Sequence, residues 1–161
     1  MGRQYSQTIC LNGHQVTGRS AFQVIENLGF CQECGSKLIN SCPHCHKIIL
    51  GDQDIDGVLD LTSSKVPVPK YCKDCGEPYP WTQTSIESAN EVINLSDLND
   101  SDKRSLQNAI PDLLTDTPKT KFATTKYKIF AQKAETVITD GLHDILVDVV
   151  SESVKKAIWG S

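Results

Sequence analysis

Between Phe30 and His46 the chain reads Cys31-Gln32-Glu33-Cys34-Gly35-Ser36-Lys37-Leu38-Ile39-Asn40-Ser41-Cys42-Pro43-His44-Cys45. Two Cys-x-x-Cys pairs stand here with seven residues between them. A two-residue gap lets both sulfurs of one tight turn reach a single ion while backbone amides point at them. Gly35 follows the first pair, where such a turn needs a residue free to take positive φ.

Working outward, a third pair, Cys72 and Cys75, lies downstream and is followed by Gly76. Upstream, Cys10-Leu11-Asn12-Gly13-His14 places a cysteine and a histidine around Asn-Gly, a strong turn signal. The candidate ligands are therefore Cys10, His14, Cys31, Cys34, Cys42, Cys45, Cys72 and Cys75, enough for two four-coordinate ions. Zinc suits such sites, because it imposes no geometry of its own from d-electrons and takes thiolate and imidazole tetrahedrally. The spacing predicts two structural zinc ions. An open catalytic zinc would show three ligands and a nearby carboxylate base; four ligands per ion leave no vacancy, so no enzymatic activity is expected.

Three pairings of the four pairs are open. In the sequential one, Cys10, His14, Cys31 and Cys34 hold one ion and Cys42, Cys45, Cys72 and Cys75 the other. The crossed one is the brace of RING-like ligase modules. The sequential arrangement is favoured, because residues 15–30 and 46–71 are long enough to form hairpins inside each site. His44 and His46 flank Cys45, but the cysteines already fill both sites, so these histidines are expected at the surface or backing a ligand.

The bulk composition agrees with this chemistry. Seven cysteines in 161 residues is an odd count, unlike that of a secreted disulfide scaffold. Neither a secretion signal nor a run of apolar residues long enough to span a bilayer is evident, so a cytoplasmic protein with no membrane partner is expected. The short pattern Met1-Gly2-Arg3-Gln4-Tyr5-Ser6 fits myristoylation loosely, and an ordinary start is the better reading. The formal charge is −4. A three-thiolate site with its divalent ion adds −1 and a four-thiolate site adds −2, which makes the zinc-loaded protein −7. That weighs against general affinity for nucleic-acid phosphates.

The fold class expected is α+β: a small double zinc ribbon over residues 1–82, with short strands such as Lys47-Ile48-Ile49-Leu50, and a helical domain over residues 83–161. Thr84-Ser85-Ile86-Glu87 reads as a capping box opening a helix to about Leu95. A second helix starts near Asn99 or Ser101 and ends before Pro111. Thr117-Pro118 opens a third, with Ala123, Tyr127, Phe130, Ala134 and Val137 on one face. Asp140-Gly141 marks a break, and one last helix spans residues 142–159. Its apolar positions cover an arc too wide for a surface helix, which predicts that the face is covered by a second copy of the chain, by the true partner or by the tail folding back over the ribbons; self-association through this C-terminal helix is favoured.

Two weaker signals remain. Asp52-x-Asp54-x-Asp56-Gly57 opens like a calcium loop, but its twelfth position is Ser63 rather than glutamate; an acidic hairpin tip is the better reading. Lys119, Lys121, Lys126, Lys128 and Lys133 form a basic run that could meet phosphates or an acidic partner, although charge runs are usually solvated.

The chain resembles a bacterial family known as a domain of unknown function, with N-terminal zinc ribbons and a helical C-terminal region. The likeness is carried by Cys10-Leu11-Asn12-Gly13-His14, Cys31 to Gly35, Cys42-Pro43 with Cys45, Tyr71-Cys72 with Cys75-Gly76, Pro78-Tyr79-Pro80-Trp81-Thr82, and Pro111-Asp112-Leu113-Leu114 with Asp116-Thr117-Pro118. It implies a bacterial cytosolic protein and brings no activity. The function expected is a non-enzymatic adaptor or regulatory module that binds another protein. The alternatives are a nucleic-acid-binding ribbon using the lysine run, and a RING-like ligase module.

Overall fold

The computed structural model describes residues 2–59 and 65–160. The chain forms two compact units, Met1–Gln83 and Thr84–Ser161. Four short strands in the first and helices in the second make the protein α+β. Among the described residues no helix is long and apolar enough to cross a membrane.

In the first unit β1 (Gln4–Cys10) is the central strand, rich in the aromatic and β-branched residues that suit a pleated surface. It pairs antiparallel along one edge with β2 (Gln15–Ser20). Along its other edge lie β3 (Leu38–Ile39), beside Ile9 and Cys10, and β4 (Leu50–Gln53), beside Gln4 and Ser6. Asn12-Gly13 makes the β1–β2 turn, with Gly13 at φ 91. Gly51 has a steric role: a Cβ there would lie 2.2 Å from the Gly18 carbonyl oxygen, so β4 can approach β1 and β2 only with glycine at this point.

This sheet is too small to bury much apolar surface, and polar side chains tie it together instead. Ser6 donates to the Ala21 carbonyl at 2.8 Å, and Gln7 donates to those of Leu50 and Pro67 at 2.9 and 3.0 Å. Asn40 is fully buried and clamps the loop after β2, donating to the Gln23 carbonyl at 2.7 Å and accepting from the Ile25 amide at 3.1 Å. Each buried polar group is thereby satisfied, as its desolvation requires. Among the described residues the hairpins expected inside residues 15–30 and 46–71 do not form; β2 and β4 both return to β1. The strand expected at Lys47 to Leu50 begins only at Leu50, because the preceding residues close the Cys42 knuckle: the Lys47 carbonyl accepts from the Cys42 amide and the Ile49 amide donates to the Asn40 carbonyl.

The first helix, α1 (Pro80–Asn94), starts four residues before the expected capping box, within the last residues of the first unit, and continues into the second. Pro80 occupies the first helical position, where its fixed φ helps and its missing N–H costs nothing. The Tyr79 carbonyl accepts from the Gln83 amide at 3.0 Å. α2 (Asp100–Leu113) begins as expected, with Asn99 accepting from the Asp102 amide at 2.8 Å, but it runs through Pro111. The lost hydrogen bond is offset by Ile110, Leu113 and Leu114, which are all fully buried.

α3 (Thr120–Lys133) buries Ala123 and Tyr127, and Phe130 and Ala134 pack on the same core. Val137 departs from that face and is 69% exposed, because Ala134 and Glu135 take extended backbone and end the helix. Gly141 breaks nothing: it sits inside α4 (Thr136–Leu146), where a Cβ would already touch Val92 at 3.5 Å. The single helix expected over residues 142–159 is instead the end of α4 and a separate α5 (Glu152–Trp159). Val147, Val149 and Val150 are β-branched and poor helix formers. Ser151 caps α5, accepting from the Val154 amide at 3.4 Å, and its own amide donates to the Leu113 carbonyl. The wide apolar arc drawn for one long helix therefore does not exist as a surface; Leu142, Leu146, Val150 and Val154 are buried within this unit.

Candidate metal centres

The three Cys-x-x-Cys segments adopt one backbone form. The first cysteine's amide donates to the carbonyl five residues on, at Ser36, Lys47 and Glu77. Its carbonyl accepts from the amide four residues on, at Gly35, His46 and Gly76, with lengths of 2.9 Å in all three. A single β-bridge closes each knuckle, Phe30 to Lys37, Ser41 to Ile48, and Tyr71 to Pro78. The fourth position after each first cysteine has positive φ: 74 at Gly35, 64 at His46 and 78 at Gly76. His46 thus stands where the other two knuckles have glycine, and it is exposed, as is His44.

The fold gathers all eight candidate donors into two groups, Cys10, His14, Cys31 and Cys34 in one and Cys42, Cys45, Cys72 and Cys75 in the other. The grouping is sequential, and the crossed pairing that the RING-like reading needs is absent. β1 ends at Cys10 and β2 begins beside His14, so the hairpin turn sets that half-site.

In the second group the Cys42 and Cys75 sulfurs are 3.8 Å apart and those of Cys45 and Cys72 are 3.6 Å apart. In the first, Cys10 lies 3.7 Å from Cys34, and the His14 Nδ1 atom lies 3.4 Å from the Cys10 sulfur and 3.7 Å from that of Cys31. A disulfide needs ~2.05 Å, and all seven cysteines are free. Around a tetrahedral ion with metal–sulfur bonds of ~2.3 Å, the sulfurs sit about 3.8 Å apart, and a sulfur and a nitrogen at ~2.0–2.1 Å about 3.6 Å. The observed separations are the edges of such tetrahedra.

Amides support the sulfurs. The His14 amide donates to Cys10 at 3.3 Å, the Asp74 amide to Cys72 at 3.4 Å, and the Asn12 side chain to Cys34 at 3.3 Å. Hydrogen bonds from Ser36, then from Asn12, hold the exposed Cys34 thiol down to about 5. Burial would push Cys72 up, but the Cys75 and Asp74 amides and the neighbouring thiols bring it down to about 6. Cys10 is pushed up by burial. The Cys34 and Cys31 sulfurs, with the Glu33 carboxylate, hold His14 above its ordinary value. Each cage therefore draws positive charge to its centre, and adjacent thiols cannot all ionise unless a cation sits among them.

Sequence reasoning missed the residues that back the donors. Tyr79 is buried in one cluster with Cys72, and burial, then the neighbouring Cys72 side chain, raises its ionisation well above the phenol range. Its ring stacks on Trp81 at 4.8 Å, and Trp81 packs over Gly13. Asn12 also donates to Ser36 at 2.8 Å, locking the β1–β2 turn to the Cys31 knuckle. The Pro78-Tyr79-Pro80-Trp81 run was the only signal that could have pointed to this backing.

The weaker signals find other roles. Asp52 and Asp54 pair with Arg19 at 2.8 and 3.2 Å, and Tyr5 donates to Asp54 at 2.9 Å, so these carboxylates hold the sheet edge together. Ser63 and Met1, needed for the calcium and myristoylation patterns, lie outside the described residues. In the lysine run, Lys133 pairs with Asp102 at 3.5 Å and Lys126 covers the Phe122 ring at 4.8 Å.

Three knuckles and a hairpin turn, enclosing two four-donor cages on a small sheet, define a ribbon-type module able to hold two metal ions, joined in one chain to a helical unit. The family model described as an uncharacterized protein conserved in bacteria, DUF2321, matches residues 3–158, and the chain belongs to that family. Neither the curated proteins nor the solved structures include a match to this chain.

Proposed function

We propose that the chain is a non-enzymatic adaptor or regulatory module that binds another protein, and that its first unit is held folded by two structural zinc ions. The observation that supports this most directly is the pair of closed cages, each with four donors at tetrahedral edge distances. Cys10, His14, Cys31 and Cys34 would hold one ion, and Cys42, Cys45, Cys72 and Cys75 the other. Zinc fits a donor set of seven thiols and one imidazole better than magnesium or calcium, which take oxygen. Bound zinc would supply cross-linking and charge neutralisation, with apparent binding energies of ~10–16 kcal/mol per site coupled to folding. Four protein donors leave no position for a substrate or an activated water, which is why the module is read as a scaffold and as non-enzymatic.

The nucleic-acid alternative keeps one favourable observation, the absence of acidic residues from α3. The net charge of −4 before metal binding opposes it. Chemical cross-linking of the tagged protein in a bacterial host, followed by mass spectrometry, separates the two. A defined protein partner, lost when Cys72→Ser disrupts the first unit, is expected. Recovery of nuclease-sensitive material in place of protein would overturn the adaptor reading.

A further inference from the structure

The helical unit carries a cleft of about 460 Å³ with walls of opposite charge. α3 lines one wall with Lys128 and Gln132, and α4 lines the other with Asp140 and His143. α5 contributes Ile158 and Trp159. The Trp159 ring stands edge-on to Tyr127 at 6.1 Å and to His143 at 4.9 Å, so this aromatic surface is fixed in place. Among the described residues no ion pair joins Lys128 to Asp140, and both side chains are exposed.

The charge division extends along both helices. α3 has four lysines and no acid; Lys133 pairs with Asp102 and Lys126 covers Phe122, which leaves Lys128 as the basic group of this wall. α4 has Asp140 and Asp144 and no lysine or arginine.

A cleft with one basic and one acidic wall is complementary to itself. A half turn about an axis that lies in the contact plane and runs along the cleft sets the two faces against each other with the walls exchanged, so a second copy presents its acid to the first copy's base and the reverse. A polyanion has no such match, because the α4 carboxylates would face it. Two-fold pairing also gives every contact twice, as closed symmetric dimers do, and places apolar aromatic surface at the centre with charge at the rim.

We propose that this cleft face docks a second copy of the chain as a two-fold dimer, with Lys128 of each copy against the partner's Asp140 and Trp159 near the axis. The pairing needs neither metal cage and goes beyond the adaptor reading, which stands or falls separately by the cross-linking experiment.

Sedimentation equilibrium of the full zinc-loaded chain tests it. The wild-type protein is expected to dimerise below ~100 µM and to weaken as salt rises from about 50 mM to 0.5 M, where screening is nearly complete. Lys128→Glu alone and Asp140→Lys alone each place like charges opposite one another and are expected to raise the dimer dissociation constant more than about tenfold. Both positions are exposed, and circular dichroism should show each variant folded. Mixing the two variants in equal amounts restores opposite charges at both contacts, so dimer should reappear. A wild-type monomer throughout the range would assign the cleft to some other occupant and overturn the proposal. So would dimers insensitive to both substitutions, or a mixture of the two variants that stays monomeric.

Discussion

Tyr79 and Cys72 are buried in one cluster, with the Tyr79 ring stacked on Trp81 and its phenol ionisation raised by burial and then by the Cys72 side chain. A sulfur that carries negative charge gains from a neighbouring phenol hydroxyl. Groups that back metal ligands in this way are worth about ten- to a hundredfold in affinity. Tyr79→Phe keeps the ring and removes only the hydroxyl. It should leave the helical circular dichroism unchanged and weaken zinc retention at one of two sites by about tenfold or more, measured by competition with a chromophoric chelator. Unchanged retention at both sites would show that the hydroxyl does not act on the metal.

His46 occupies the left-handed position that glycine fills in the other two knuckles. A side chain there costs roughly 1–2 kcal/mol. His46→Gly should therefore raise the stability of the first unit by about 1 kcal/mol, read from denaturant unfolding, and leave the zinc content at its wild-type value. Loss of a metal ion on this substitution would make His46 a ligand, against the sequential grouping.

Exposed Cys34 is held down to about 5 by Ser36 and then Asn12, whereas Cys10 is buried and pushed up. When zinc is withdrawn by a limiting amount of chelator, so that the fold is kept, exposed Cys34 should be the first thiol alkylated at neutral pH, ahead of buried Cys10 and Cys31, with a rate that falls as pH drops. The sign follows from the thiolate fraction: only the thiolate is nucleophilic, and it is lost as pH falls through the folded value. Peptide mapping of partially alkylated protein checks the order. Uniform alkylation of all seven cysteines would contradict it.

The helical unit has its own core, in which Ile110, Leu113, Leu114, Leu142 and Leu146 are buried. Leu113→Ala should cost about 2–5 kcal/mol in the unfolding of that unit. Cys72→Ser should disrupt the first unit and leave most of the helical circular dichroism in place. Collapse of the helical signal with Cys72→Ser would show that the second unit cannot fold without the first.

Much of this architecture was legible because cysteine spacing is a local signal. Cys31 with Cys34, Cys42 with Cys45 and Cys72 with Cys75 each define a knuckle within six residues, and Gly35 and Gly76 betray its backbone. Asn12-Gly13 likewise announced the turn that joins Cys10 to His14. The strands were harder to read, because β1 draws partners from residues 38–39 and 50–53, and such pairings leave no local periodicity. Helix ends failed where tertiary packing overrode a local rule. Pro111 stays in α2 because Ile110, Leu113 and Leu114 bury deeply, and Gly141 stays in α4 beside Val92. The break before α5 has little local signal, because apolar residues continue through Val147, Val149 and Val150 and only the cap at Ser151 marks it. The hydroxyl behind Cys72 had no sequence signal beyond the Pro-Tyr-Pro-Trp run itself.

The most direct test of the central claim is metal analysis of the purified full chain, by mass spectrometry under native conditions and by elemental emission. The two cages predict close to two zinc ions per chain and a colourless protein. A ratio near one, or iron with visible absorbance, would contradict the two-zinc account.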